Sequence, residues 1–202
     1  MKRIILLALI ILPAFVFAQG NKYTVQGTLG TYNAPAKVYI RYRVEKTVKK
    51  DSVVLKNGHF QFTGTVSGDP VYAELMFNAK GTGINYDDYK PVYLEKGTIT
   101  VISADLLANA KVSGTKANDD NVRYDAALKP VNDAYDALEA KKKAADTSLL
   151  KSESFQKENN KAEKAIEAQE AAANKQFIKD NPDSFISLVA LEGYAYGADY
   201  VE

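Results

Sequence analysis

The chain reads as α+β in sequence order, all-β then all-α: an antiparallel β-sandwich or barrel-like domain, then a helical hairpin and a third helix. Three observations lead there. Up to about residue 114, short runs of β-branched and aromatic residues alternate with turn residues, at the spacing of an antiparallel sandwich. Beyond Gly114 the apolar repeat switches to alternating steps of four and three, the period of a long helix. The first eighteen residues follow neither pattern and read as an export signal. The expected division is a signal peptide at 1–18, a β domain at 19–114 and a helical region at 115–202.

Lys2 and Arg3 precede a nearly unbroken apolar run from Ile4 to Phe17, which contains Pro13. The run closes on Val16-Phe17-Ala18, with small residues where a signal peptidase inspects the chain, so cleavage is expected after Ala18. A membrane span needs roughly 20 apolar residues, and this shorter run gives way at once to Gln19, Gly20, Asn21 and Lys22. A lipid anchor would require Cys where Gln19 stands. The expected location is periplasmic or otherwise extracytoplasmic, with no membrane attachment after cleavage.

Composition narrows the chemistry. Lys and Arg total 26 against 25 for Asp and Glu, a balance that argues against charge-driven binding of nucleic acid or a membrane surface. With 0 Cys, the chain has no disulfide, no thiolate nucleophile, no Cys-x-x-Cys redox pair and no Cys-based metal site. Tyr is frequent at 13, with Tyr23, Tyr39, Tyr42, Tyr72 and Tyr93 in the expected strands.

Those strands come in order. Tyr23–Leu29 alternates large and small residues, and Lys37–Arg43 sets Val38, Ile40 and Tyr42 on one face. Asp51–Leu55 and His59–Val66 flank Asn57-Gly58, a strong hairpin signal because a tight type I′ turn needs positive φ at both central residues. Val71–Phe77 follows, and Pro91–Leu94 and Thr98–Ile102 are expected to pair across Glu95-Lys96-Gly97. Glu45–Asp51, with Lys46, Lys49 and Lys50, reads as a charged loop.

Helices are expected at about 119–146, 152–179 and 184–194. In the first, Tyr124, Leu128, Val131, Tyr135 and Leu138 form a coiled-coil-like seam; Pro130 inside it should kink the helix. The second carries a thinner stripe of Phe155, Ala162, Ile166, Ala173 and Phe177, so it should be mobile or rest on another element. Asn181-Pro182-Asp183-Ser184 separates it from the third, where Phe185, Ile186, Leu188, Val189 and Leu191 cover more than half the circumference. Such a helix is normally buried, and no obvious partner for it follows in sequence.

The strand-and-turn series Tyr23–Leu29, Lys37–Ile40, Asp51–Val54 and Asn57–Gly64 resembles a particular domain of unknown function. So do Val92–Gly97, Val112–Thr115, the helical pair and Asn181–Ser184. That domain stands ahead of the thioredoxin-like domain in periplasmic thiol-disulfide oxidoreductases of the TlpA/ResA type, especially in Bacteroidota. The resemblance implies a partner, the downstream thioredoxin-like domain whose Cys-x-x-Cys does the redox chemistry. No catalytic residue carries over, since this chain has 0 Cys. The chain is then either the front portion of a longer oxidoreductase or a stand-alone relative, and the partnerless third helix favours the first.

No catalytic, cofactor or metal residue is nominated. His59 is the only histidine and reads as an exposed hairpin residue, since a metal site needs several convergent ligands. Tyr86, Asp87, Asp88 and Tyr89, in a loop after Gly81 and Gly83, are the candidate ligand contacts, although the spacing is not that of an EF-hand. Asp119-Asp120-Asn121 reads as an acidic helix opening, and Lys141-Lys142-Lys143 as its basic end. No phosphate loop, Gly-x-Ser-x-Gly elbow or His-Glu-x-x-His occurs. The primary reading is an exported, non-catalytic accessory region that positions or contacts a thioredoxin-like domain or another envelope protein. The alternative is a stand-alone extracytoplasmic module binding a peptide, a glycan or an envelope protein.

Overall fold

Eight strands form two four-stranded sheets in the computed structural model, and inward and outward side chains alternate along β1, β2 and β4. The structure describes residues 21–197; the export signal at 1–18 lies outside the described residues. The strands are β1 (Lys22–Leu29), β2 (Lys37–Val44), β3 (Thr47–Val54), β4 (His59–Thr65), β5 (Val71–Asn78), β6 (Tyr89–Leu94), β7 (Gly97–Ser103) and β8 (Lys111–Ser113). One sheet has the order β4-β1-β7-β8 and the other β3-β2-β5-β6. Val25, Phe62, Ile99 and Val112 of the first meet Val38, Ile40, Leu75 and Leu94 of the second in a single buried core. This is the expected sandwich, although β1 and β7 run parallel.

Two expected hairpins do not form. Asn57 and Gly58 adopt the positive φ values the turn demands, 51° and 76°, yet β3 and β4 belong to different sheets and only Lys56 and His59 bridge. The turn is pinned to the end of β1 instead: Leu29 N donates to Gly58 O at 2.8 Å and Gly58 N to Tyr32 O at 2.7 Å. Leu55 and Phe60, on either side of it, both enter the core, so the chain crosses from one wall of the sandwich to the other. Likewise β6 pairs with β5 and β7 with β1, not with each other. Glu95 between them accepts from Ala117 N at 2.5 Å.

The charged segment expected as a loop is largely strand. Val44 pairs with Thr47 around a turn with Glu45 at φ 52°, so β3 includes Lys49 and Lys50. It is an exposed edge, and edge lysines discourage pairing with foreign strands.

The helices are α1 (Lys116–Ala144), α2 (Thr147–Lys151), α3 (Glu153–Asp180) and α4 (Ile186–Gly197). α1 runs through Pro130 as one element. The expected turn near 146–152 holds the short α2, capped by Asp146, which accepts from Ser148 N and Leu149 N. Both predicted stripes meet: Val131, Leu138 and Ile166 are buried together, with Leu128, Tyr135 and Ala162 against them. Across the seam Lys142 pairs with Glu163 at 2.5 Å and Lys141 with Glu158 at 2.9 Å. α3 therefore rests on α1.

The expectation that the third helix lacks a partner is corrected on one face only. Ile186 and Ala190 of α4 are buried against Tyr93, Ala117, Tyr124 and Phe177. Leu188 and Leu191, on the other face, stay 61% and 50% exposed. Among the described residues, no helix is long and apolar enough to cross a membrane.

Candidate interaction face

Strand alternation turns a second set of side chains outward from the sheet β3-β2-β5-β6. The register sets Tyr39, Met76 and Tyr89 in one row and Arg41, Glu74 and Pro91 in the next, with Tyr72 opposite Tyr93 beyond them. Met76 is fully buried beneath its neighbours. Arg41 Nη1 donates to Glu74 Oε2 at 2.7 Å; that bond, reinforced by Tyr86 nearby, raises the guanidinium above its ordinary value. Around this ion pair Tyr72, Tyr86 and Tyr89 remain 48%, 54% and 46% exposed. A groove of about 290 Å³ opens beside it, lined by Arg41, Arg43, Val48, Val71, Tyr72 and Glu74.

The aromatic contacts continue onto the helices. Tyr72 meets Tyr93 edge-on with ring centroids 5.9 Å apart, and Tyr93 meets Phe185 in the same manner at 5.9 Å, the geometry aromatic quadrupoles favour. Burial pushes the Tyr93 hydroxyl up to about 12, and burial followed by the charge of Glu74 raises that of Tyr72, so both are neutral donors at physiological pH. One turn beyond Phe185 stand Leu188 and then Leu191. Tyr72 and Tyr89 on the sheet and Leu188 and Leu191 on α4 are exposed, while Tyr93, 6% exposed, and the half-buried Phe185 connect the sheet to α4 from beneath. Large exposed apolar patches are where proteins meet partners.

Two polar nodes hold α4 and the sheet in place. Asn118 of α1 treats the edge of β6 as a strand would: it accepts from Tyr93 N at 2.9 Å and donates to Tyr93 O at 2.7 Å. Asp120, also buried, accepts from Ser184 Oγ at 2.5 Å and pairs with Lys116 and Arg123. Burial alone would raise its carboxyl, but the bonds from Lys116 and Ser184 and the two cations bring it below the ordinary 3.8. Ser184 is thereby fixed at the start of α4, where Ile186 N donates to it at 3.2 Å.

The four loop residues named from sequence separate. Tyr86 and Tyr89 join the tyrosine face, and Asp87 is exposed. Asp88 does not join them. Its carboxylate is buried and occupied, accepting from Leu107 N at 3.0 Å and Ala108 N at 2.7 Å, so it anchors the 3-10 turn Leu107–Asn109. Among the described residues no three His, Cys, Asp or Glu converge to hold a metal. His59 is exposed, with Nδ1 3.2 Å from Thr28 Oγ1. Tyr72, Tyr93 and Asn118 were not read as site residues, and Asp120 was read only as part of an acidic helix opening. The outward positions of Tyr72 in β5 and Tyr93 in β6 carried a signal for the tyrosines; the asparagine, in a polar helix opening, carried none.

Residues 23–121 match the model of a family described as Domain of unknown function (DUF4369), which spans the sandwich and the first turns of α1. No curated protein matches the chain. Two solved structures are similar over part of it. "Trapped Toxin" is 19% identical over 47% of this chain, with a TM-score of 0.22. "Crystal structure of the human-specific toxin intermedilysin" is 12% identical over 46%, with a TM-score of 0.21. The chain spans 23% of the length of each, and likeness at that level carries no argument about fold or activity.

Proposed function

We propose that this chain is an exported, non-catalytic accessory region whose role is to dock and position a thioredoxin-like domain in the cell envelope. The observation that carries the reading is the exposed set of Tyr72 and Tyr89 on the sheet and Leu188 and Leu191 on α4, tied together from beneath by the buried Tyr93 and the half-buried Phe185. It joins the β domain to the helical region, leaves Leu188 61% exposed and is held rigidly by buried polar anchors. Aromatic and aliphatic side chains in that arrangement supply the apolar centre of a protein interface. The choice of partner rests on the sequence resemblance to regions that precede thioredoxin-like domains. The absence of Cys assigns the thiol chemistry to that partner.

The breadth of this surface favours a protein over a small ligand at the Tyr86–Tyr89 loop. The test is calorimetric titration of the chain, from residue 19 onward, with a Cys-x-x-Cys thioredoxin-like domain encoded in the same genome. Binding is expected for the wild type and is expected to weaken at least about tenfold, roughly one hot-spot residue's worth, in Tyr72→Ser/Leu188→Ser. Equal binding by both proteins, or none by either, contradicts the proposal.

A further inference from the structure

The two sheets have four edge strands, β3, β4, β6 and β8, and three of them are protected against pairing. β3 presents Lys49 and Lys50. β8 is only 3 residues long and carries Lys111. On β6, Pro91 lacks an N–H and the Asn118 amide takes both backbone groups of Tyr93. Lysine, proline, shortness and cover are the devices by which proteins keep strand edges from pairing. β4 has none of them. His59–Thr65 contains no Lys, Arg, Asp, Glu or Pro, and its register with β1 runs unbroken from Thr65 to His59, so no bulge turns the edge aside.

Hydrogen bonds fix which groups of β4 face outward. Val66 N donates to Asn21 O at 2.8 Å on the β1 side, whereas His59 N donates to Lys56 O at 3.0 Å on the other. The direction of the backbone groups alternates along a strand. Phe60, Phe62 and Gly64 therefore bond to β1, while Gln61, Thr63 and Thr65 turn their N–H and C=O groups away from it. These outward groups have no partner among the described residues, and the three side chains beside them are exposed.

The outward set is complementary to itself. A two-fold axis at Thr63 places Thr63 against Thr63 of a second copy, and Gln61 against Thr65 of that copy. Each of these is a hydrogen-bonded antiparallel pair that exchanges two bonds, so every outward N–H and C=O from Gln61 to Thr65 finds a partner on both strands. The bridge between Lys56 and His59 closes the ladder at its end. On the outer face Thr meets Thr and Gln meets Thr, with no like charges opposed; on the inner face Phe62 stands beside Gly64 of the second copy. The surrounding lysines lie off this strand: Lys22 opposes Thr65 from β1, and Lys49 and Lys50 belong to the other sheet, about 10 Å away.

We propose that the chain self-associates through β4, whose antiparallel pairing with β4 of a second copy joins the two β4-β1-β7-β8 sheets into one continuous sheet. The interface is isologous, as a closed two-fold dimer requires, and main-chain bonds carry it as in other strand-addition modes. It lies on the sheet opposite the exposed tyrosines, so it does not rest on the docking of a thioredoxin-like domain.

Sedimentation equilibrium of the chain from residue 19 onward tests this. The wild type is expected to pass from monomer to dimer as it is concentrated toward the millimolar range. Thr63→Lys, at an exposed strand position, opposes two like charges across the axis and should weaken the dimer at least about tenfold. Its Tm at micromolar concentration, where both proteins are monomeric, should match the wild type. Because the chain has 0 Cys, Thr63→Cys adds a single thiol. The paired Cα atoms, about 5.5 Å apart, fall within the span of a disulfide, so mild oxidation should give a covalent dimer. Thr98→Cys, exposed on the same face but two strands inward, should not. A wild-type chain that stays monomeric at millimolar concentration leaves this edge to a foreign strand and overturns the proposal. So does a dimer that forms equally well in Thr63→Lys, or that cross-links as readily through Thr98→Cys.

Discussion

Asn118 and Asp120 stand two positions apart on α1, point to different sides of the helix, and tie it to β6 and to the start of α4. The Asn118 amide satisfies Tyr93 N and O at a buried site, where each group left without a partner costs about 1–3 kcal/mol. Asn118→Ala is therefore expected to lower the free energy of unfolding in urea by at least about 1–3 kcal/mol; an unchanged midpoint would show that water replaces the amide. Asp120 has a folded-state carboxyl held below 3.8, so its stabilising contribution is complete above that value and is lost as pH falls through the depressed one. Asp120→Asn should cost about 1 kcal/mol at neutral pH and flatten the acid limb of the stability profile below about pH 4. A variant with the wild-type acid limb would rule out the Lys116–Asp120–Arg123–Ser184 cluster as its source. Neither residue was legible as an anchor, because a polar helix opening has the same composition whether its side chains face water or a neighbouring strand.

At the scale of elements, what could be read locally came out and what depended on partners did not. Positive φ at Asn57 and Gly58 is demanded by two adjacent residues, so the sequence displays it. Whether β3 and β4 then pair depends on Leu55 and Phe60 entering one core from opposite sheets, which no local pattern records. The α1 and α3 stripes were legible because burial on a helix repeats every three to four residues. β3 was partly missed because, as an edge strand, it buries almost nothing. In α4 the apolar pattern wraps most of the helix, while the structure divides it into a docked face and an open one. Ile186→Ala, on the docked face, is expected to lower stability by about 2–5 kcal/mol. Leu191→Ser, on the open face, should stay within about 0.5 kcal/mol of wild type. Thermal and urea melts of the two variants check the division; a large loss in Leu191→Ser would mean that this face is covered within the chain.

For the molecule as a whole, sandwich and helices form a continuous unit through Tyr93, which packs in the α1–α3–α4 cluster while its strand belongs to the sheet. That continuity holds the exposed tyrosines and leucines in fixed relation. The matched family is one of unknown function. Hydrogen–deuterium exchange of the chain with and without the thioredoxin-like domain tests docking on this surface directly. Docking there is expected to slow exchange in β5, in β6 and at residues 185–191, leaving the outer edge of β3 unchanged. Protection confined to β3, β4 or α2, or no protection at all under saturating partner, would contradict it.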